Sequence, residues 1–295
     1  MTTADSAADA AAVVATPSPT RGQRAGELGH ALLRSRTFLV GTVILGFWIF
    51  DALFWRALVP HDPSATGTDI LVGPSGDHLL GTDNLGRDVF SRVLAGAAPV
   101  FTVAPLATLI GLVGGTTIGL LSGYHRGLVD DVISRFVDAF LAFPAVVIAL
   151  LALTVLGSSQ RTVILVIGIL FTPIISRTVR SAVLVERERE YVAAARLRGD
   201  SGPYVMLAEI LPNVTGPIAV EGTVRLGYAI FAAATLSFLG VGLQIPSPDW
   251  GLTVAVERVN LSVNAWTVLG AAIALATVVV AVNLVADGVR QAVEE

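Results

Sequence analysis

Two long stretches of this 295-residue sequence contain no charged residue. Residues 93–125 and 259–286 lack Asp, Glu, Lys and Arg and consist mainly of small and aliphatic residues. Each stretch exceeds the about 20 apolar residues that a helix needs to cross a bilayer. Charged residues make up 14% of the chain, whereas an average soluble domain has roughly a quarter. The sequence therefore predicts a multi-span membrane protein with no large soluble domain.

The residue types that are missing exclude several classes of function. All 19 basic residues are Arg, and the chain has no Cys. Without Lys there is no P-loop lysine to bind nucleotide phosphates and no Schiff-base chemistry. Without Cys there is no thiol nucleophile, thiolate metal site or disulfide. The chain thus has no Walker-type ATP site of its own.

Six apolar stretches predict an all-α membrane protein with six transmembrane helices. These helices form a transmembrane domain of residues 28–295, which follows a disordered cytoplasmic tail at residues 1–27. The stretches cover about residues 37–59, 93–125, 139–156, 162–179, 214–239 and part of 259–286. The 177–213 connection carries six Arg, whereas the loop at about residues 60–92 carries two. Because Arg-rich loops stay in the cytoplasm, the first connection is expected inside and the second outside. Both termini are then cytoplasmic.

Glycine recurs every four residues in the second span, at Gly111, Gly115, Gly119 and Gly123. This spacing puts the four residues on one helix face, where the missing side chains let another helix approach closely. The other helix could belong to this chain or to a second membrane subunit.

The connection at about residues 186–213 has the pattern of a helix, a break and a second short helix. Gly199 suits a helix C-terminus that needs positive φ, and Ser201 followed by Pro203 is typical of a helix start. Pro212 limits the second helix. Tyr204, Leu207, Ala208 and Leu211 then form a stripe at helical spacing. Such a helix could dock into a groove of another protein or lie on lipid headgroups.

The same segment resembles the EAA loop of binding-protein-dependent ABC importers, in the pattern of Ala194 and Ala195, three residues, then Gly199 and a spacer to Leu211 and Pro212. In that family the loop is the coupling helix that inserts into a cleft of the cytoplasmic ATPase. Ala193 stands where the general motif has Glu, and Glu209 where it has Ile. The resemblance implies an ATPase-coupling role for Ala194, Ala195, Gly199, Ser201, Pro203, Tyr204, Leu207, Leu211 and Pro212.

Other segments are similar to the dipeptide/oligopeptide/nickel permeases, and to their shorter C-type membrane subunit in particular. They are residues 78–92, the Arg135–Asp138 segment with Phe143 and Pro144, residues 236–251 and residues 283–290. The resemblance implies a type I importer permease in the bacterial inner membrane that carries dipeptides or oligopeptides. It also implies four kinds of contact: a homologous second permease, two ATPase sites on one or two polypeptides, an extracytoplasmic substrate-binding protein and membrane lipid.

By the same resemblance this chain is a transport subunit and not an enzyme. It is expected to bind no cofactor and no nucleic acid, while ATP and Mg are bound by the partner ATPase subunits. Two alternatives stay open from the sequence. One is an ion-coupled secondary transporter, and the other is an importer of the same family that carries nickel or another small solute.

Charged residues near or within the spans form a second set of candidates. Glu221 and Arg225 lie four residues apart, so their side chains can meet on one helix face. Since charge at membrane depth is costly unless it is paired or hydrated, they form either a structural pair or part of a hydrated pathway. Arg135 and Asp138 are one helical turn apart near the third span. They are expected to form an interfacial ion pair or a gate at the inner mouth.

In the outer loop, Asp83, Arg87 and Asp88 are expected either to shape the outer mouth and contact the binding protein or to stabilise the loop through internal pairs. The four His residues show no spacing suited to a metal site, and none is predicted. The four Trp residues fall near predicted span ends, where Trp commonly anchors helices at the membrane interface.

Overall fold

The computed structural model describes residue 32 and residues 34–294, and in this part of the chain the regular elements are helices apart from one isolated bridge between Thr82 and Asp88. The predicted tail at residues 1–27 lies outside the described residues. In chain order the helices are α1 (Arg36–Leu58), α2 (Val89–Ala95), α3 (Ala97–His125), α4 (Leu128–Leu141), α5 (Ala145–Leu156), α6 (Gln160–Glu186), α7 (Glu190–Leu197), a composite loop helix (residues 202–213), α8 (Thr215–Phe238), α9 (Trp250–Glu257) and α10 (Trp266–Glu294).

Several of these helices are long and apolar enough to cross a membrane. By length and composition the described residues contain four of them, and a fifth if α4 and α5 form one broken span. The 24-residue helix α8 matches the predicted fifth span closely and contains Glu221 and Arg225. The all-helical fold is confirmed, and the count of six spans and the orientation of the termini stay predictions.

The third predicted span is not a straight helix. The chain bends by 83° between α4 and α5, and Pro144 stands immediately before α5. Proline cannot donate a backbone hydrogen bond and disfavours the helical conformation in the residue before it, which breaks a helix at that point. The fourth predicted span, by contrast, continues through Pro173 and reaches Glu186 instead of Val179.

The glycine face of α3 packs against α6 of the same chain. A Cβ at Gly115 would lie 2.6 Å from the Cβ of Ile175, and one at Gly119 would lie 2.7 Å from that of Val179. The same four-residue step pairs Gly111 with Phe171 and Gly123 with Val183. Packing within the chain is thus confirmed, because only glycine lets the two backbones approach this closely.

Two of the four Trp residues are core residues, which corrects the prediction of interfacial anchoring. Trp250 is fully buried, and its indole Nε1 donates to the carbonyl of Val93 at 2.8 Å. Its ring lies 5.0 Å from that of Trp48, whose Nε1 donates to Thr277 Oγ1 at 3.1 Å. Buried Trp needs such a hydrogen-bond partner, and here the two rings join α1, α9 and α10.

Candidate functional site

The 187–213 connection is held against the end of α3. The guanidinium of Arg187 donates to the carbonyl of Tyr124 at 2.6 Å and to that of Gly123 at 3.3 Å. These carbonyls belong to the last turn of α3, where intrahelical donors are missing and a cation is favourable. Burial lowers the pKa of Arg187. The guanidinium carbon of Arg196 lies 5.1 Å from the centre of the Tyr124 ring, so Tyr124 holds the connection at two points.

Tyr191 attaches α7 to the end of α6. Its hydroxyl donates to Glu186 Oε2 at 2.8 Å. Burial and, to a smaller degree, the neighbouring Glu186 raise the pKa of Tyr191 to about 12. The phenol therefore stays protonated at neutral pH and keeps its donor role.

Gly199 ends α7 in a Schellman motif. Its φ is +83°, and its N–H donates to the carbonyl of Arg196 while that of Asp200 donates to the carbonyl of Ala195. This is the bond pattern that closes a helix through a left-handed residue. The predicted positive φ is confirmed. A Cβ at Gly199 would meet nothing within 4 Å, so the backbone conformation alone selects glycine here.

The loop helix is anchored through one face. Val205, Met206 and Ile210 are buried, and Val205 and Ile210 belong to the same buried cluster as Val192 and Ala195 of α7. Its backbone is α-helical at Gly202–Tyr204, π-helical at Val205–Ile210 and 3₁₀-helical at Leu211–Asn213. The start after Ser201 is as predicted, with Pro203 in the first turn and no capping bond from the Ser201 side chain.

The opposite face of the loop helix is apolar and exposed. Leu207 is 61% exposed, and Tyr204 and Ala208 are exposed beside it. Leu197 at the end of α7 is 89% exposed, and Ala194 is also exposed. Leu211 and Pro212 are half-buried, and Leu211 packs against the core. The predicted stripe therefore divides, since Leu211 belongs to the anchor and not to the exposed face.

Glu209 joins the loop helix to the turn before it. Arg198 Nη2 lies 2.8 Å from Asp200 Oδ2 and 3.2 Å from Glu209 Oε1. Glu209 is one of the two residues that depart from the general EAA pattern, and this contact gives its acidic side chain a local partner. This contact and those of Tyr124 and Arg187 could not be predicted from the sequence, because each joins residues on different elements or across a turn.

The Glu221–Arg225 pair forms as its spacing predicts. Arg225 Nε lies 2.6 Å from Glu221 Oε1, and the two side chains are 16% and 12% exposed respectively. Glu221 Oε2 also accepts from Thr178 Oγ1 at 3.2 Å, and Arg225 lies over the ring of Tyr228. These contacts join α8 to α6, and each of the two charges has a partner within the chain. A role in the substrate pathway does not follow from this geometry and stays a prediction.

The predicted ion pair between Arg135 and Asp138 is wrong. Asp138 pairs with Arg177 of α6 instead, and both side chains are more than half exposed. Asp138 and Arg177 line a cavity of about 260 Å³ between α3, α4 and α6, together with Ser122, Ser134, Ser176 and Arg180. Residues three apart on a helix can meet, but here the neighbouring helix offers Asp138 a closer partner. Arg135 is exposed on α4.

Asp83, Arg87 and Asp88 lie inside the α1–α2 loop. All three side chains are buried. Asp83 accepts from the backbone N–H of Arg87 at 2.9 Å and pairs with the Arg87 guanidinium at 2.7 Å. Asp88 caps α2 by accepting from the N–H of Ser91. This geometry matches the interpretation of internal pairing, and contact with a binding protein stays a prediction.

A bundle of membrane-length helices with a loop helix that is apolar on its exposed face is typical of a multi-span transport protein that contacts a partner. Residues 115–295 match the family described as binding-protein-dependent transport system inner membrane component. The chain belongs to this family. It is a permease subunit of an ABC importer in the inner membrane, and it is a transport component and not an enzyme.

Curated relatives are similar in sequence to this chain along most of its length. The dipeptide transport system permease protein DppC of Alkalihalophilus pseudofirmus is 37% identical over 89% of this chain and 87% of its own length. The di/tripeptide permease DppC of Pseudomonas aeruginosa is 33% identical over 94% and 92%, and the glutathione permease GsiD of Escherichia coli O6:K15:H31 is 35% identical over 90% and 86%. An inward-facing structure of the methionine ABC transporter MetNI covers 68% of this chain and 96% of its own, with a TM-score of 0.57 and 18% identity. That likeness shows the type I importer fold.

Proposed function

We propose that this chain forms half of the pore of a peptide importer and couples ATPase closure to alternating access through the loop helix. The observation that carries the proposal is the pair of opposite faces on that helix. One face is buried in the permease, while Tyr204, Leu207 and Ala208 present an apolar surface outward. An amphipathic helix with its apolar residues directed outward is suited to a groove on another protein. Because its buried face packs against the permease, the loop helix would transmit movement of that partner to α6 and α8.

The partners in this proposal are a homologous second permease, two ATPase sites on one or two polypeptides, and an extracytoplasmic substrate-binding protein. ATP and Mg²⁺ are bound by the ATPase subunits, since this chain has no Lys for a P-loop. Dipeptides or short peptides are the proposed substrates, because the relatives named above transport dipeptides, di/tripeptides and glutathione. Nickel or another small solute is the alternative cargo.

Purification of this chain from its native membranes in mild detergent, followed by mass spectrometry, tests the assembly. A second permease and a P-loop ATPase should accompany it. Reconstituted into liposomes with the binding protein, the complex should take up labelled dipeptide only when ATP is hydrolysed. A chain that purifies alone and moves solute along an ion gradient would contradict the proposal.

Replacement of Gly199 with valine should uncouple the ATPase from uptake. A β-branched residue at φ +83° costs about 2 kcal/mol, which is relieved by changing the turn and moving the loop helix. Asparagine tolerates left-handed φ and has room here, so Gly199→Asn is the matched control. We expect normal membrane levels in both variants, with less solute taken up per ATP hydrolysed only in Gly199→Val. Equal coupled transport in the two variants would refute this role for the turn.

The pathway hypothesis for Glu221 and Arg225 is tested by removing both charges at once. The double variant Glu221→Gln with Arg225→Leu leaves no unpaired ion in α8, so the complex should assemble. If the pair contacts the charged ends of a peptide, the KM or maximal rate of uptake changes. Unchanged uptake kinetics in an assembled complex would assign the pair a structural role.

A further inference from the structure

The α1–α2 loop brings together three side chains that are well separated in the sequence. Ligand atoms of His61, His78 and Asp88 all lie within 4.8 Å of one another. The His78 Nδ1 is 2.9 Å from Asp88 Oδ1, and the His61 Nδ1 is 3.9 Å from the same oxygen. The two imidazole rings lie side by side, with centres 4.9 Å apart.

The backbone around these residues is fixed. The His61 N–H donates to Ser91 Oγ at 3.2 Å, which ties the residue to the first turn of α2. The His78 N–H donates to Ser75 Oγ, and its carbonyl accepts from the N–H groups of Ser75 and Gly81. The three side chains therefore converge from positions that the fold itself maintains.

Asp88 is a buried carboxylate that has no Arg partner among the residues that the structure describes. Its side chain is 1% exposed, and in the part of the chain that the structure describes its ion-pair partners are the two histidines. The nearby Arg87 and Arg92 are both directed at Asp83 instead. Burying a carboxylate without a cation is costly. The histidines supply that cation only when they are protonated.

We propose that His61, His78 and Asp88 bind a divalent transition-metal ion of the zinc type. Two imidazole nitrogens and one carboxylate oxygen are a set that Zn²⁺, Ni²⁺ and Cu²⁺ accept. Bonds of 2.0–2.1 Å in a tetrahedral site place ligand atoms about 3.3 Å apart, and the distances of 2.9 and 3.9 Å to Asp88 lie on either side of that value.

The orientation of Asp88 and the exposure of His61 suit a metal site with an open coordination position. The Asp88 Oδ2 accepts from the N–H of Ser91 at 2.7 Å, which orients the carboxylate and leaves Oδ1 for the ion. The His61 side chain is 43% exposed, so solvent or another ligand can reach the ion from that side. A bound ion would join the end of α1 to the start of α2. This site departs from the expectation that the chain binds no metal, and it does not depend on the identity of the transported solute.

Metal binding by the full-length protein, purified with an affinity tag that contains no histidine, tests the proposal. After equilibrium dialysis against Zn²⁺, elemental analysis should find one ion per chain. We expect His61→Gln and His78→Gln each to weaken binding by at least about tenfold, because losing even a group that only orients a ligand costs about 10–100-fold. Asp88→Asn should also weaken it, while asparagine still caps α2. His125→Gln is the matched control, since His125 lies at the end of α3 away from the cluster, and should bind as the natural protein does.

Two further measurements distinguish a built site from unspecific binding. Co²⁺ should give the visible absorption of a low-coordinate nitrogen and oxygen site in the natural protein and in His125→Gln but not in His61→Gln. Zn²⁺ should also raise the unfolding temperature of the natural protein but not that of His61→Gln. No retained zinc in the natural protein, or equal retention by all the variants, would overturn the proposal.

Discussion

Replacement of Leu207 with aspartate is expected to abolish ATP-driven uptake while the permease stays folded in the membrane. Leu207 is 61% exposed, more than Tyr204 on the same face, so the change leaves the buried face of the loop helix intact. In a complex with the ATPase, an unpaired carboxylate would be buried in an apolar groove. We expect this to cost about 3 kcal/mol, which weakens the interaction on the order of 100-fold.

Recovery of the ATPase with the permease variant after affinity purification measures this effect directly. Ile70→Asp is the matched control, because Ile70 is also an exposed aliphatic residue but lies in the α1–α2 loop. That variant should retain the ATPase. If Leu207→Asp also recovers the ATPase in full and supports normal uptake, the outer face of the loop helix is not the docking surface.

Replacement of Gly119 with leucine should strongly destabilise the permease and lower its amount in the membrane. A Cβ there would lie 2.7 Å from the Val179 Cβ and 2.8 Å from the backbone carbonyl of Ser176, and leucine adds three more carbons. The backbone carbonyl cannot rotate away as a side chain can, so α3 and α6 must separate. We expect a loss of about 3 kcal/mol or more in the free energy of unfolding.

Membrane abundance and the size-exclusion profile in detergent report this loss. Gly46→Leu in α1 is the matched control, because a Cβ at Gly46 meets nothing within 4 Å. It should behave as the natural protein does. A monodisperse, abundant Gly119→Leu protein would show that the α3–α6 contact can open without loss of the fold.

Local patterns in the sequence were sufficient to predict the helical class, the bounds of α1 and α8 and the turn at Gly199. Hydropathy acts over about 20 residues, and the conformational limits of Gly and Pro act over a few. Such properties are independent of which helix lies nearby. They also predict the loop helix, which Gly199 and Pro212 delimit.

The tertiary structure alone decided which polar and aromatic groups from different elements meet. Hydrogen bonds and ion pairs require atoms about 3 Å apart, and that distance between remote residues depends on how the helices pack. Sequence spacing therefore predicted the wrong arginine as the partner of Asp138. It also predicted an interfacial position for Trp250, which is buried in the core. It also left His61 and His78 scattered along the chain, whereas packing of the α1–α2 loop brings both of them to the carboxylate of Asp88.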